Sequence, residues 1–379
     1  MTEKIDLSWD EKVEKAKEAI KASFWGDFLF GGLVVSGIFI FIESLELPSL
    51  VNCSIGILIF IFGLSLILSR LIYFRIKTYQ IEKIIKKAEI YQSEKDYKKS
   101  LELLNKELED TRNLKIKEIW NNKAIALYYL TRYEEAYESF NYALEIDPFY
   151  KFAILGKGAA LYKLKRFEEA LKSYDKALTI DQNYKEAWLN KGYVLHDLKR
   201  YKEALESYDK ALDIDRSYKE AWLNKGYVLH DLKRYQEALE SYNKALAIDQ
   251  NYKKAWFNKG CLFKDLKEYQ NALESYDKAL AIDQNYKEVW INKGNLLQDL
   301  KKYQEALECY DKVLVIDQNF KEAWYNKACI GSLYNNKDKA LEYLKKAINF
   351  DNKYKKQANE DPDFNNIKDS REFKELTKD

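Results

Sequence analysis

From residue 117 to residue 354, the apolar and polar positions of the chain recur with a period of 34 residues. Tryptophan marks one register, with Ile154 in the missing place: Trp120, Trp188, Trp222, Trp256, Trp290 and Trp324. One alanine series shares the period: Ala136, Ala170, Ala204, Ala238, Ala272, Ala306 and Ala340. A second follows seven residues later: Ala143, Ala177, Ala211, Ala245, Ala279, Val313 and Ala347. A fixed period of this length indicates a solenoid of repeated units.

Each unit contains two stretches with helical spacing. In Lys185 to Leu198 the residues Trp188, Tyr193 and Leu195 recur at that spacing, and Tyr201 to Ile214 behaves in the same way. Neither helix can bury its apolar stripe alone, so the units must stack, and glycine and alanine are the points of closest approach. The predicted repeats, numbered one to seven, are 117–150, 151–184, 185–218, 219–252, 253–286, 287–320 and 321–354.

The recurring Trp, Gly, Ala, Tyr or Phe, then Ala resembles the tetratricopeptide repeat (TPR). The resemblance implies antiparallel helix pairs that coil into a right-handed superhelix, with the first helix of every pair on the concave face. We expect a linker helix and an irregular first repeat in residues 71–116, because Ala88, Tyr97 and Leu101 follow the same spacing. Residues 355–379 are predicted to be the C-terminal capping segment that a solenoid end requires.

Two apolar runs precede the repeats. They predict a transmembrane helical hairpin at 28–70, with spans at about 24–42 and 50–68, after an N-terminal amphipathic helix at 1–27. The predicted fold class is therefore an all-α TPR solenoid of about eight helix pairs, preceded by two transmembrane helices. A cleaved signal peptide is the alternative, but the first run follows a long acidic segment and a second run comes after it.

Lysine and arginine flank this predicted hairpin but are missing from the loop that joins its spans, residues 43–49. They precede it at Lys12, Lys15, Lys17 and Lys21, and follow it at Arg70, Arg75, Lys77, Lys83, Lys86 and Lys87. The positive-inside rule then predicts a multi-pass protein of the cell membrane, with both termini and the repeats in the cytoplasm.

Composition argues against several function classes. The formal net charge is +2, so no strong field attracts nucleic acid. No Gly-rich phosphate loop or nucleophile motif is present, and the two histidines, His196 and His230, hold one position of two nearly identical repeats. The cysteines are widely spaced, which is typical of reduced, apolar filler residues. We therefore expect no enzyme activity, no cofactor, no metal site and no small-molecule substrate.

A row of asparagines on the first helices is the best candidate for a functional surface. Its members are Asn122, Asn190, Asn224, Asn258, Asn292 and Asn326, and Gly156 interrupts it in repeat two. In the family this position faces the groove, and an amide can both donate to and accept from the backbone of an extended peptide. The alternative is that duplication carried a structural asparagine along, since repeats three and four are almost copies.

A parallel row of aspartates lies near the ends of the first helices, at Asp197, Asp231, Asp265 and Asp299. It suggests an acidic groove, unless Lys199, Arg200, Lys233 and Arg234 compensate it. The predicted partners are proteins or peptides that offer basic or neutral extended segments. The chain is thus interpreted as a membrane-anchored interaction scaffold. The alternative is a structural spacer or assembly subunit of a membrane complex, with no ligand in the groove.

Overall fold

The computed structural model describes residues 48–110 and 116–378, and every regular element in them is helical. The predicted amphipathic helix at 1–27, the first predicted span and residues 43–47 of the loop after it lie outside these residues. The described residues divide into two compact units between Leu164 and Lys165. The first unit contains α1 (Pro48–Ser93), α2 (Tyr97–Asp110), α3 (Lys117–Tyr129), α4 (Tyr133–Ile146) and α5 (Lys151–Lys163).

Helix α1 is a single helix of 46 residues that joins the second predicted span to the linker helix without a break. Its C-terminal part packs with α2 and α3 around Ile81, Ala88, Leu104 and Ile119. The C-terminal part of α1 and helix α2 occupy the place of the irregular repeat that was predicted in residues 71–116. No helix within the two described ranges is both long enough and apolar enough to cross a bilayer.

The second unit continues the helix pairs. Its helices are α6 (Phe167–Ile180), α7 (Lys185–Asp197), α8 (Tyr201–Ile214), α9 (Lys219–Asp231), α10 (Tyr235–Ile248), α11 (Lys253–Asp265), α12 (Tyr269–Ile282), α13 (Lys287–Asp299), α14 (Tyr303–Ile316), α15 (Lys321–Leu333), α16 (Lys337–Phe350), α17 (Lys353–Glu360) and α18 (Arg371–Leu376). A short 3-10 helix, Pro362–Phe364, separates the last two. The all-α repeat solenoid predicted from the 34-residue period is thereby confirmed.

Aromatic rings fill the space inside each helix pair. Tyr208, Tyr242, Tyr276 and Tyr310 are essentially inaccessible to solvent, as are the alanines of both series. Each ring lies on the glycine of its own first helix, so that a Cβ added to Gly226 would come within 2.6 Å of the Tyr242 ring. The close approach predicted at the glycine is therefore made by the tyrosine of the second helix.

A lysine–aspartate ion pair joins the start of a repeat to the turn that ends it. In repeat three, Lys185 Nζ lies 2.7 Å from Asp215 Oδ2, and the other Asp215 oxygen accepts from the Ser217 backbone N–H at 2.9 Å. The lysine also lies over the ring of Tyr218, 4.9 Å from its centroid. Repeats one, four, five, six and seven have the same pair. The aspartate thus orders the turn that ends the repeat.

The C-terminal segment covers the last repeat. Phe364 and Phe373 are buried with Tyr325, Leu344 and Ile348 in one apolar cluster. Two caps order the chain there, because Asp361 accepts from the Asp363 N–H and Ser370 accepts from the Phe373 N–H. Residues beyond repeat seven therefore bury the apolar end of the solenoid.

Candidate functional site

Within the second unit, the first helices of successive repeats, α7, α9, α11, α13 and α15, each contact the next one. No successive pair of second helices in the described residues packs as extensively. The repeats are thus closest together on the first-helix side, which makes that side concave. The sixth, ninth, twelfth and thirteenth positions of each repeat, which include both predicted rows, belong to these helices.

The asparagine row occupies the sixth position, and all five members in the second unit are half-buried: Asn190, Asn224, Asn258, Asn292 and Asn326. Asn258 Nδ2 donates to the Lys254 carbonyl at 3.0 Å, and Asn292 Nδ2 donates to the Glu288 carbonyl at 2.7 Å. Each of these two amides therefore donates one N–H to the backbone of its own helix.

Two members of the row also reach the ninth position of the preceding repeat. Asn224 Nδ2 lies 3.0 Å from the Tyr193 hydroxyl, and Asn326 Nδ2 donates to Asn295 Oδ1 at 2.7 Å. Asn122, in the first unit, is buried and donates to the Glu118 carbonyl. The row stops at Gly156 because the Phe140 ring lies within 2.2 Å of where its Cβ would be.

The aspartate row occupies the thirteenth position, and Asp197, Asp231, Asp265 and Asp299 are all exposed. Asp231 and Asp265 are tied to the preceding repeat, since His196 Nε2 lies 2.8 Å from Asp231 Oδ2 and His230 Nε2 lies 2.8 Å from Asp265 Oδ2. Sequence reasoning attributed both histidines to duplication and missed this link. The signal was available, because the members of each pair are 35 residues apart, one more than the period.

The arginines that follow the aspartates face other partners. Arg200 makes a two-point ion pair with Glu203, at 2.7 and 2.5 Å, and Arg234 makes the same pair with Glu237. The first turn of the second helix thus engages these guanidinium groups. Neither arginine is therefore directed at the aspartate row.

The C-terminal segment closes one end of this face. Asp363 accepts from Gln298 Nε2 at 3.1 Å, and Asp361 accepts from the Tyr325 hydroxyl at 2.7 Å. These two carboxylates and the Cys329 thiol also lie close enough together to suggest a metal site. Burial raises the pKa of the Cys329 thiol well above its usual value, which favours its protonated form. The group is therefore best described as a hydrogen-bonded seam between the segment and the last repeats.

Family models of the tetratricopeptide repeat match residues 117–150, 158–199, 185–251, 254–286, 288–320 and 321–354. Together they span 117–354 with gaps only at 151–157, 252–253 and 287. The chain is a tetratricopeptide-repeat protein. Such repeats support a role as a protein–protein interaction scaffold. No curated protein matches the chain.

Several solved structures are similar to this TPR protein. A chain of the APC/C hetero-tetramer Cut9–Hcn1 aligns at 18% identity over 73% of this chain and 56% of its own, with a TM-score of 0.53. A tetratricopeptide-repeat protein of Parabacteroides merdae aligns at 18% identity over 62% and 93%, with a TM-score of 0.50. PilF of Pseudomonas aeruginosa aligns at 23% identity over 60% and 96%, with a TM-score of 0.47. The first two share the fold.

Proposed function

We propose that the concave face of the second unit binds extended segments of partner proteins, and that the N-terminal part of the chain holds this scaffold at the inner face of the cell membrane. The observation that carries the first half is the pair of polar rows. Five successive first helices present a half-buried amide and four of them present an exposed carboxylate, all on one side of the unit.

The amides suit a peptide backbone. A primary amide has two N–H donors and a carbonyl oxygen with two lone pairs. The bond that Asn258 or Asn292 makes to its own helix therefore uses one of four hydrogen-bonding positions. The remaining groups match the alternating N–H and C=O of an extended chain. The carboxylates add a preference for basic or neutral segments over acidic ones.

The membrane half of the proposal is supported by the sequence and by one feature of α1. Seven large apolar or aromatic side chains, each 47–60% exposed, follow one another within eleven residues: Leu64, Ile67, Leu68, Leu71, Ile72, Tyr73 and Phe74. Arg70, Arg75 and Lys77 are interspersed with them or follow directly. Aromatic residues and cations are typical of a membrane interface, and an apolar surface of this kind is unusual in contact with water.

Capture of partners by the intact, detergent-solubilised chain tests the groove. We expect Asn190→Ala, Asn224→Ala, Asn258→Ala and Asn292→Ala together to abolish capture of the proteins that the unaltered chain retains. Gln236→Ala, Gln270→Ala and Gln304→Ala, which shorten exposed amides on the second helices, form the matched control and should leave the catch unchanged. If both variants retain the same proteins while still folded, the spacer function is the better account.

Membrane topology is tested separately. A reporter inserted at Leu47 should be accessible from outside the cell, whereas one at Asp379 should be protected. A protected reporter at both positions, with the protein in the soluble fraction, would rule out the anchor and leave the groove proposal standing.

A further inference from the structure

Tyr227 of repeat four is exposed, whereas the equivalent tyrosine of repeat three, Tyr193, is half-buried. Tyr193 and Tyr227 hold the ninth position of two near-identical repeats. Asn224, the next asparagine, donates to the Glu220 carbonyl and also lies 3.0 Å from the Tyr193 hydroxyl, whereas Asn258 at the equivalent place donates to the Lys254 carbonyl. Tyr227 itself is 43% exposed.

Two carboxylates lie beside this ring. The His196 ring is centred 5.1 Å from the Tyr227 ring, and its nitrogens lie 2.8 Å from Asp231 and 3.6 Å from Asp197. The side chains of Asp197 and Asp231 are 40% and 35% exposed. Burial, followed by the charges of Asp231 and Asp197, raises the pKa of Tyr227. An exposed aromatic face is thus bordered by negative charge.

A buried hydroxyl lies under the same place. Tyr242 is fully buried, and its hydroxyl has no hydrogen-bond partner among the described residues. The equivalent hydroxyls of the next two repeats have hydrogen-bond partners. Tyr276 donates to Cys261 Sγ, and the Tyr310 hydroxyl lies 2.9 Å from oxygens of Asn295 and Gln298. Burial, followed by the negative charges of Cys261, Asp231 and Tyr227, raises the pKa of Tyr242. The Tyr242 ring packs on Gly226, the residue before Tyr227, and lies 2.6 Å from where a Cβ on that glycine would be. A missing partner here calls for one from outside the chain.

We propose that Tyr227, Asp197, Asp231 and Tyr242 form a pocket for one arginine side chain of the partner segment. The inference rests on the proposed function, of which it names the anchoring residue. The guanidinium stacks on Tyr227 and pairs with the carboxylates, and a modest rotation of Tyr227 opens its path to the Tyr242 hydroxyl. A carboxylate has about four lone-pair sites, so Asp231 can accept from arginine while it holds His196.

Arginine fits this pocket better than lysine. Its planar guanidinium stacks on an aromatic ring and presents several N–H donors in a fixed plane, whereas an ammonium is a compact, strongly hydrated charge. Arg200 and Arg234, which follow Asp197 and Asp231 three residues later, are held by Glu203 and Glu237.

Selection of peptides on the intact chain tests the pocket without knowledge of the partner. A phage library of random dodecapeptides is enriched on the detergent-solubilised protein, and the selected peptide is resynthesised with each arginine changed to lysine, citrulline or glutamate. Citrulline keeps the shape of arginine and removes its charge. We expect enriched peptides to contain one invariant arginine, whose change to citrulline weakens binding by about tenfold or more.

The variants assign that arginine to the pocket. Tyr227→Ala and Asp231→Asn should each abolish the difference between arginine and citrulline, whereas Tyr227→Phe should retain it because the ring remains. Asp213→Asn, which removes an exposed charge from α8, is the matched control and should have no effect. An arginine preference that survives Tyr227→Ala, or enriched peptides without arginine, would overturn the pocket.

The same selection distinguishes failure of the arginine pocket from failure of the groove proposal. Peptides that lack arginine but lose binding in Asn224→Ala and Asn258→Ala would overturn the pocket and support the groove. If selection enriches no peptide, or only peptides indifferent to those variants, both the pocket and the groove proposal fail.

Discussion

At the scale of single residues, the contact between a glycine and a tyrosine ring defines each helix pair. A Cβ at Gly192, Gly226, Gly260 or Gly294 would lie 2.4–2.6 Å from the ring of the tyrosine that packs on it. Sequence periodicity predicted a close approach at the glycine, because it recurs with the alanines. It did not predict which side chain fills the notch, since that depends on how the second helix folds back.

The first prediction concerns Gly226→Ala. The added methyl forces Tyr242, which is enclosed on all sides, out of its position, so we expect the free energy of unfolding to fall by about 1–3 kcal/mol. Denaturant unfolding followed by far-ultraviolet circular dichroism measures the change. Gly63→Ala is the control, because nothing lies within 4 Å of its added Cβ. A loss of equal size in both variants would mean that the ring contact is not responsible.

At the scale of elements, the turns inside the helix pairs contain a backbone conformation that the pattern of apolar residues does not reveal. In the part of the chain that the structure describes, eight residues between paired helices have positive φ values near 60°, and six of them are lysines: Lys95, Lys165, Lys199, Lys233, Lys267 and Lys301. Lysine is not suited to the left-handed region, where its Cβ is crowded. The helix boundaries could be predicted to within a few residues, but this strain could not.

The second prediction follows from that strain. Lys233→Gly should raise the free energy of unfolding by about 0.5–1 kcal/mol, because glycine adopts a left-handed conformation without crowding. Lys210→Gly, in the exposed middle of α8, should lower it by about 1 kcal/mol. Denaturation midpoints of the two variants decide the point. Destabilisation by both changes would show that the Lys233 backbone is not strained.

The third prediction concerns acid. The side-chain bond from Lys185, followed by those from Ser217, lowers the pKa of Asp215 from 3.8 to about 2, and the lysines of the other pairs lower the pKa of Asp147, Asp249, Asp283, Asp317 and Asp351. A folded-state pKa below the unfolded value gives stability that is present above about pH 4 and is lost as the pH falls toward 2. Thermal midpoints measured between pH 7 and pH 2 should fall in that window.

Asp215→Asn provides the comparison for this acid effect. Its midpoint should be lower than that of the unaltered chain at pH 7, and the two should approach each other near pH 2. Asp213→Asn, at an exposed site two residues away, should reproduce the unaltered profile. If the gap between Asp215→Asn and the unaltered chain stayed constant across this range, the ion pair would not be the source.

At the scale of the whole molecule, the period of 34 residues made the all-α repeat architecture predictable, since recurring tryptophan, glycine and alanine positions fix both helices of a pair. The rows Asn190–Asn326 and Asp197–Asp299 could be placed on the first helices for the same reason. Their contacts could not. Tyr193 and Tyr227 lie in near copies, yet Asn224 of the next repeat lies 3.0 Å from the Tyr193 hydroxyl, whereas Asn258 donates to the Lys254 carbonyl and Tyr227 is 43% exposed. Such differences arise between repeats and leave no local signal.

The fourth prediction concerns the end of the solenoid. Phe364→Ala and Phe373→Ala each remove a buried ring from the cluster that covers repeat seven, which typically costs about 3–5 kcal/mol. Because solenoid stability propagates between neighbours, amide hydrogen exchange should accelerate in α15 and α16 before it changes in α7 and α8. Uniform acceleration along the second unit would contradict a local cap.

Site-specific photocrosslinking in cells tests the central claim, recruitment of partners through the concave face, most directly. A photoreactive residue replaces Asn224 or Asn258 on that face, and Asp213 or Gln236 on the second helices as the comparison. The account predicts adducts from the first two positions only, each mapped by mass spectrometry to an extended segment of another protein. Adducts from the second-helix positions alone, or none from Asn224 and Asn258 in a folded chain, would contradict it.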